Sequence, residues 1–370
     1  MRFVHSTNTN GKFHGKSLHR ILIGGLSTME SISNQMGGYQ DAFREKFPRL
    51  WFLSDVEVTQ LLSFHPVPSK LLPYVRKCFR GIHSLELQSE IPCDTRDGKP
   101  DGVSSVSHRL MKVLGVFSSL EEHISFLSPL ESNPNALDWF CQLEKQLELT
   151  MMQLVKQCNV AQYQLQQSCT YLACDEKSLL QFEHGRQNIQ CVLDLLTEFP
   201  LQCMLVAEEA VWSSFVLKAL RESSPVKLRH IKAYNSAKLK GLCRFIRDRG
   251  TGAERESLVS RYMMVCLGSL VHLTMNHAQQ LAHLMELRSD PESSYEWLTA
   301  MKYHINSEDQ SLKCTDDPVC YIDVLGHRLQ YGYEYFGPED LVMVQTPSTD
   351  RAILGILLAL TSYRCGFVSG

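Results

Sequence analysis

Two short cysteine pairs, Cys169 with Cys174 and Cys314 with Cys320, have the residue type that builds half of a tetrahedral zinc site. Neither is followed by a second pair at zinc-finger spacing, so structural or incidental thiols are expected. His272 and His277 stand five apart, with His283 beyond them. They miss the i, i+4 spacing that puts two histidines on one helix face in H-E-x-x-H, and are expected on a helix surface. The sequence has no G-x-S-x-G, no complete glycine-rich phosphate loop and no carboxylate pair in a recognisable setting. No catalytic residue and no metal ligand is therefore assigned.

The densest charge lies between residues 218 and 249. Lys218, Arg221, Lys227, Arg229, Lys232, Lys238, Lys240, Arg244, Arg247 and Arg249 face only Glu222 and Asp248. Aromatics are sparse there, Tyr234 and Phe245, so no stacking platform for single-stranded nucleic acid is present. A solvated helix face, or one that docks an acidic protein surface, fits better than a nucleic-acid site. Lys238 and Lys240 are the residues chosen to represent that face.

The elements around these residues are mostly helical. A helical pattern runs from Leu18 to Phe47 with an interruption expected at Gly37-Gly38. In FPRLWFLSD, residues 47–55, Leu50 to Leu53 have strand character, and Ser54 with Glu57 has the spacing of a capping box. A short helix is expected within 71–82, stopped by Gly81. SLELQSE and GVSSVSH flank a polar turn and predict a β-hairpin over about 84–107. Phe140, Leu143, Leu147, Met151, Leu154 and Cys158 recur every three or four residues on one long helix. A second stripe runs through Leu205, Trp212, Phe215 and Leu220, and a third helical stretch spans 254–287. YEWLTAMKYHI is expected to be a short helix, 320–337 to be β, Leu341 to Val344 a strand, and 351–362 a buried helix. Trp51, Phe52, Trp139, Trp212, Trp297 and Tyr333 are expected as core anchors.

The chain has 370 residues and 42.2 kDa, enough for two or three domains with their own cores. With 44% hydrophobic and 21% charged residues and a net charge of -3, it reads as globular, and its charge does not advertise nucleic acid or acidic membranes. Thirteen cysteines without regular spacing, and a start without an apolar signal-peptide core, predict free thiols in a reducing compartment. The longest apolar run, Ala352 to Leu360, falls short of the roughly 20 residues a membrane helix needs.

Several of these landmarks, in this order, resemble the second N-terminal region of dynein heavy chains, the linker. FPRLWFLSD followed by KCFRGIHSLEL, then ALDWFCQLEKQLELTMMQL, then EFPLQCMLVAEEAVW, and finally YEWLTAMKYHI, YGYEYFG and TPSTDR are similar to successive family motifs over residues 18–370. On LTMNHAQQL the chain departs from the family, with Met275, Gln279 and Gln280 where charged residues are usual. It resembles an outlying member.

The resemblance implies a mainly α fold. Residues 1–17 are a loose leader and 18–305 an elongated helical linker with a small β-hairpin. Residues 306–370 are the incomplete α/β edge of a first AAA+ module, with Gly370 standing where a Walker A loop begins. Leu341, Val342, Thr346, Pro347, Thr349, Asp350 and Gly370 would form part of an ATP site. No cofactor is expected in this chain alone, which is not expected to hydrolyse ATP; ATP and Mg belong to the full-length family. Implied partners are the AAA+ ring, dynein intermediate and light intermediate chains and microtubules, with no nucleic acid and no membrane. The implied place is the cytoplasm and cytoskeleton, the ciliary or flagellar axoneme included. A non-motor helical scaffold of the same ancestry is the alternative.

Overall fold

The computed structural model describes residues 18–63, 67–89, 111–172, 186–250, 260–287, 291–306, 319–340 and 346–367. The leader, the expected second hairpin strand GVSSVSH, the strand Leu341 to Val344, and Cys174 and Cys314 lie outside the described residues. The described chain is mainly α, with ten helices and two small antiparallel sheets of three strands each. Its contacts group into two compact units, residues 1–78 with 132–141, and residues 79–131 with 142–370.

The first unit holds α1 (Leu18–Lys46), a 3-10 turn (Pro48–Phe52), α2 (Asp55–Ser63), α3 (Pro68–Cys78) and the first residues of α4 (Ala136–Leu172). Helix α1 runs unbroken through Gly37-Gly38, because its other residues carry the helix across two weak formers. The expected strand at Leu50 to Leu53 is instead the 3-10 turn, which Pro48 opens by presetting φ. Ser54 and Glu57 do form the capping box: Ser54 N donates to Glu57 Oε2 at 3.0 Å and Glu57 N to Ser54 Oγ at 3.4 Å. Gln40 and Arg44, both buried, tie α1 to this turn. Gln40 Nε2 donates to Asp55 O and Thr59 Oγ1, and Arg44 Nη2 donates to Leu53 O and Asp55 Oδ1. Leu50, Phe47, Trp139 and Phe140 fill the core of the unit. Trp51 and Phe52, expected as core anchors, are 61% and 67% exposed. The turn points them outward, with the Arg44 guanidinium over the Trp51 ring.

The second unit begins with a sheet of β1 (Ser84–Ser89), β2 (Met111–Phe117) and β3 (His123–Leu130). The first hairpin strand is where the sequence put it, but its partner is Met111–Phe117, in register from Ser84 opposite Phe117 to Ser89 opposite Met111. Helices α5 (Arg186–Glu198), α6 (Leu201–Arg221), α7 (Pro225–Gly250) and α8 (Arg261–Glu286) follow. The long stripe on α4 is buried as expected except at Leu154, where Val155 takes the inward place. Trp212, Val216, Leu281, Leu284 and Trp297 share one cluster with α7 residues Leu228 and Ile231.

The stretch YEWLTAMKYHI is not one helix. It splits into α9 (Tyr295–Thr299) and β4 (Lys302–Ile305). The buried Lys302 ammonium donates to the carbonyls of Trp297, Leu298 and Ala300, closing α9 at its C-terminal end. Strand β4 pairs with β5 (Cys320–Val324), which pairs with β6 (His327–Gln330), so the β reading of 320–337 holds over 320–330, while 331–337 is an irregular loop. The last described helix is α10 (Pro347–Thr361). That helix has no buried residue, contrary to expectation. Its apolar side chains border an open cavity, and Leu360 is 56% exposed.

Candidate functional site

Of the residues assigned to a partial nucleotide site, Leu341, Val342 and Gly370 lie outside the described residues. The other four meet at the start of α10. Thr346 is the N-cap: its Oγ1 accepts from Thr349 N at 3.2 Å, and Thr346 N donates to Thr349 Oγ1 at 2.8 Å. Pro347 occupies the first helical position, where its missing N–H costs nothing. Thr346 and Thr349 are thus engaged in a capping box. Asp350 faces a cavity of about 260 Å³ between α8, α9 and α10. Trp297, Leu284, Ile353, Leu354 and Leu357 give that cavity an apolar lining, and Glu296 and Asp350 give it an acidic rim. Gln280 and His283 also line it, and its lining includes no lysine or arginine.

The three histidines separate. His272 and His283 are exposed, as expected of a helix surface. His277 is not: it is 1% exposed, its ring stacks on Trp212 at 4.3 Å, and its Nε2 lies 3.1 Å from Glu209 Oε2. The α8 position 277 faces α6, and the sequence around it has no sign of that. Among the described residues no group of three or more potential ligands could hold a metal ion.

The basic stretch is also divided by burial. Lys240 is exposed, but Lys238 is buried, with its Nζ 2.5 Å from Glu208 Oε1. Lys238 is therefore a core ion pair between α6 and α7, and no part of a docking face. Position 238 is buried on α7 along with Ile231, Tyr234 and Asn235.

The most connected polar site was not singled out in the sequence. The β2–β3 turn is held by Ser118, whose Oγ accepts from Leu120 N and Glu122 N. This turn places Glu122, only 4% exposed, against three elements. Its Oε1 accepts from Leu201 N at 2.7 Å and from the Tyr262 hydroxyl at 2.8 Å, while its Oε2 accepts from the Tyr335 hydroxyl. A carboxylate at the first N–H of α6 also meets the positive end of the helix dipole. Burial, and then the charge of Glu122, raise the pKa of the Tyr262 and Tyr335 hydroxyls, so both stay protonated and donate.

Beside it, buried Gln202 donates from Nε2 to the Tyr331 hydroxyl and to Glu334 O, and accepts from Phe336 N. The loop 331–337, YGYEYFG, is therefore bound through both backbone and side chains. It also presses on Gly81: a Cβ there would lie 2.7 Å from Phe336 C and from Tyr335 O, and Gly337 with φ +79 sits against Gly81 from the other side. Only glycine fits at 81. Glu122 and Gln202 act chemically as a latch that fixes the β6 exit to the start of α6.

The family model described as Dynein heavy chain, N-terminal region 2 matches residues 3–158. The chain is 29% identical over 388 residues to human Dynein heavy chain domain-containing protein 1, covering 99% of this chain and 8% of that protein. It is 24% identical over 360 residues to mouse Dynein axonemal heavy chain 2, covering 96% of this chain and 7% of that one. It is 22% identical over 349 residues to the cytoplasmic dynein heavy chain of Drosophila melanogaster, covering 94% and 6% respectively. The chain thus spans less than a tenth of the length of these relatives.

Proposed function

From a chain that is related to the dynein heavy chains along nearly its whole length, we propose a linker-type mechanical element that leads into a first AAA+ module. The observation that carries this reading is the agreement of the region 2 match over residues 3–158 with full-length similarity to heavy chains. In that role residues 18–305 form the linker, and 306–370 the leading edge of the module. Thr346, Pro347, Thr349 and Asp350 flank the adenine of an ATP whose phosphates and Mg are held by residues beyond Gly370. The ring, microtubules and dynein intermediate and light intermediate chains are the partners of the larger polypeptide, in cytoplasm or axoneme.

The physical support is stiffness. A linker transmits force only if its elements do not slip, and close-packed interiors with satisfied buried networks resist that. The Glu122 and Gln202 latch fixes three segments far apart in sequence in one arrangement. The second reading, a non-motor scaffold of dynein ancestry, draws on the similarity to Dynein heavy chain domain-containing protein 1 and on Met275, Gln279 and Gln280 in place of charges.

One experiment separates the readings. A polypeptide extended through the following AAA+ module is assayed for ATP hydrolysis and microtubule gliding, with and without residues 18–305. The linker role predicts that deletion stops gliding while hydrolysis continues. Gliding that survives the deletion contradicts it, and an extended polypeptide that never hydrolyses ATP favours the scaffold.

A further inference from the structure

Three hydroxyl residues in the chain stand directly before a proline: Ser128, Ser224 and Thr346. They differ at the third position beyond the hydroxyl, which is Glu131, Lys227 and Thr349 respectively. They differ also in what the hydroxyl does. Ser128 lies inside β3 and donates to Gln146 Oε1 at 3.3 Å. Thr346 Oγ1 belongs to the capping box of α10. Ser224 stands in the turn from α6 to α7, and its Oγ accepts a long contact, 3.4 Å, from Lys227 N. Ser223 before it has φ +46, so the chain turns sharply out of α6. Ser224 is half-buried, and Pro225, Val226 and Lys227 after it are exposed.

We propose that Ser224 is a phosphorylation site for a proline-directed serine/threonine kinase. Such an enzyme offers no acceptor to the N–H of the residue after the hydroxyl. Any other residue there would bury an unpaired donor, whereas proline has none to bury. A cation three residues beyond the hydroxyl pairs with an anionic group on the enzyme, and of the three sites this one alone has it, in Lys227. The residue before a proline is biased to extended backbone, so Ser224 need not be unwound from a helix to enter a cleft. The γ-phosphoryl group of MgATP passes to Ser224 Oγ. The new P–O bond forms as the bond from the γ-phosphorus to the β,γ-bridging oxygen breaks. The hydroxyl proton goes to the kinase's catalytic carboxylate, and ADP leaves. The product carries about -1.5 to -2 charges at the head of the basic stretch. Lys227 already pairs with Glu222, so the phosphate competes with that carboxylate for the same ammonium. The modification thus adds negative charge to a turn flanked by Arg221 and Arg229.

The test incubates the folded 370-residue chain with MgATP and a purified cyclin-dependent kinase, and maps phosphosites by peptide mass spectrometry over time. The expected result is phosphate on Ser224 ahead of every other residue. Ser224→Ala lowers total incorporation at least ~10-fold. Lys227→Ala, which leaves the acceptor in place, slows the initial rate roughly tenfold, the size of one charge-assisted contact. Circular dichroism verifies the fold of both variants, and the site map of the parent chain is decisive without them. A parent chain that takes up no phosphate overturns the proposal, as does one modified on Ser128 or Thr346 before Ser224. Incorporation unchanged by Ser224→Ala, or a rate unchanged by Lys227→Ala, overturns it as well.

Discussion

The Glu122 carboxylate accepts the backbone N–H of Leu201, 79 residues away, at 2.7 Å, and so caps α6 from outside the helix. Pro200, the N-cap residue itself, makes no side-chain cap. Replacing Glu122 with alanine leaves Leu201 N, the Tyr262 hydroxyl and the Tyr335 hydroxyl buried without their acceptor. The expected loss of stability is about 3–5 kcal/mol, and Glu122→Gln, which keeps an acceptor, loses less. Urea unfolding followed by circular dichroism measures both. An alanine variant within about 0.5 kcal/mol of the parent would show that the latch does not hold.

Lys238 and Glu208 form a buried ion pair in the helical core. Lys238→Met alone strands the Glu208 charge and is expected to destabilise by about 3–5 kcal/mol. The double variant Lys238→Met, Glu208→Leu removes both charges and is expected to recover most of that loss. A double-mutant cycle in denaturant gives the coupling; additive losses argue against the pair.

Acid should weaken the first unit as Glu57 becomes protonated. The Lys77 ammonium, and then the Ser54 N–H, hold Glu57 down at about 2 from an ordinary 4.5. A carboxylate with a depressed folded value contributes its stabilisation above the unfolded value and loses it as pH falls from about 4.5 towards about 2. Glu57→Gln removes this contribution, so the variant's stability should fall less steeply than the parent's across that window. Parallel slopes in a pH series of thermal melts contradict the assignment.

Thiol labelling should divide the cysteines by burial. Burial pushes Cys78, Cys266 and Cys320 up to about 12 and raises Cys158 and Cys203 further. Cys141, Cys191, Cys243 and Cys365 are exposed. Since the thiolate is the nucleophile, these four should react with iodoacetamide before the five buried ones among the described cysteines. Peptide mass mapping reads the order. Early labelling of Cys158 or Cys203 would contradict the packing of α4 against α6.

Local signals were legible in the sequence and remote ones were not. The Ser54–Glu57 cap needs only three residues of chain and the α4 stripe only helical spacing, so both are visible in the letters. His277 looked like a surface residue because its burial depends on Trp212 and Glu209, more than 60 positions away on another helix. Lys238 was grouped with its basic neighbours for the same reason. Trp51 and Phe52 misled in the opposite sense: aromatic type reports size, but which way a 3-10 turn aims it depends on the turn. YEWLTAMKYHI has helical spacing throughout, and only Lys302 folding back onto three carbonyls reveals the break. Glu122 and Gln202 carry no motif at all. Of the nucleotide-site residues, Thr346 followed by Pro347 is a local helix-start signal, while the cavity beside Asp350 needs α8 and α9 to exist.

The central claim is that this chain is a linker-type element which borders a nucleotide site without providing the phosphate grip. Titrating MgATP into the purified chain, with turnover followed in the same sample, tests it most directly. The account predicts no saturable binding in the micromolar range and no hydrolysis above buffer. Tight binding accompanied by steady release of phosphate would contradict it.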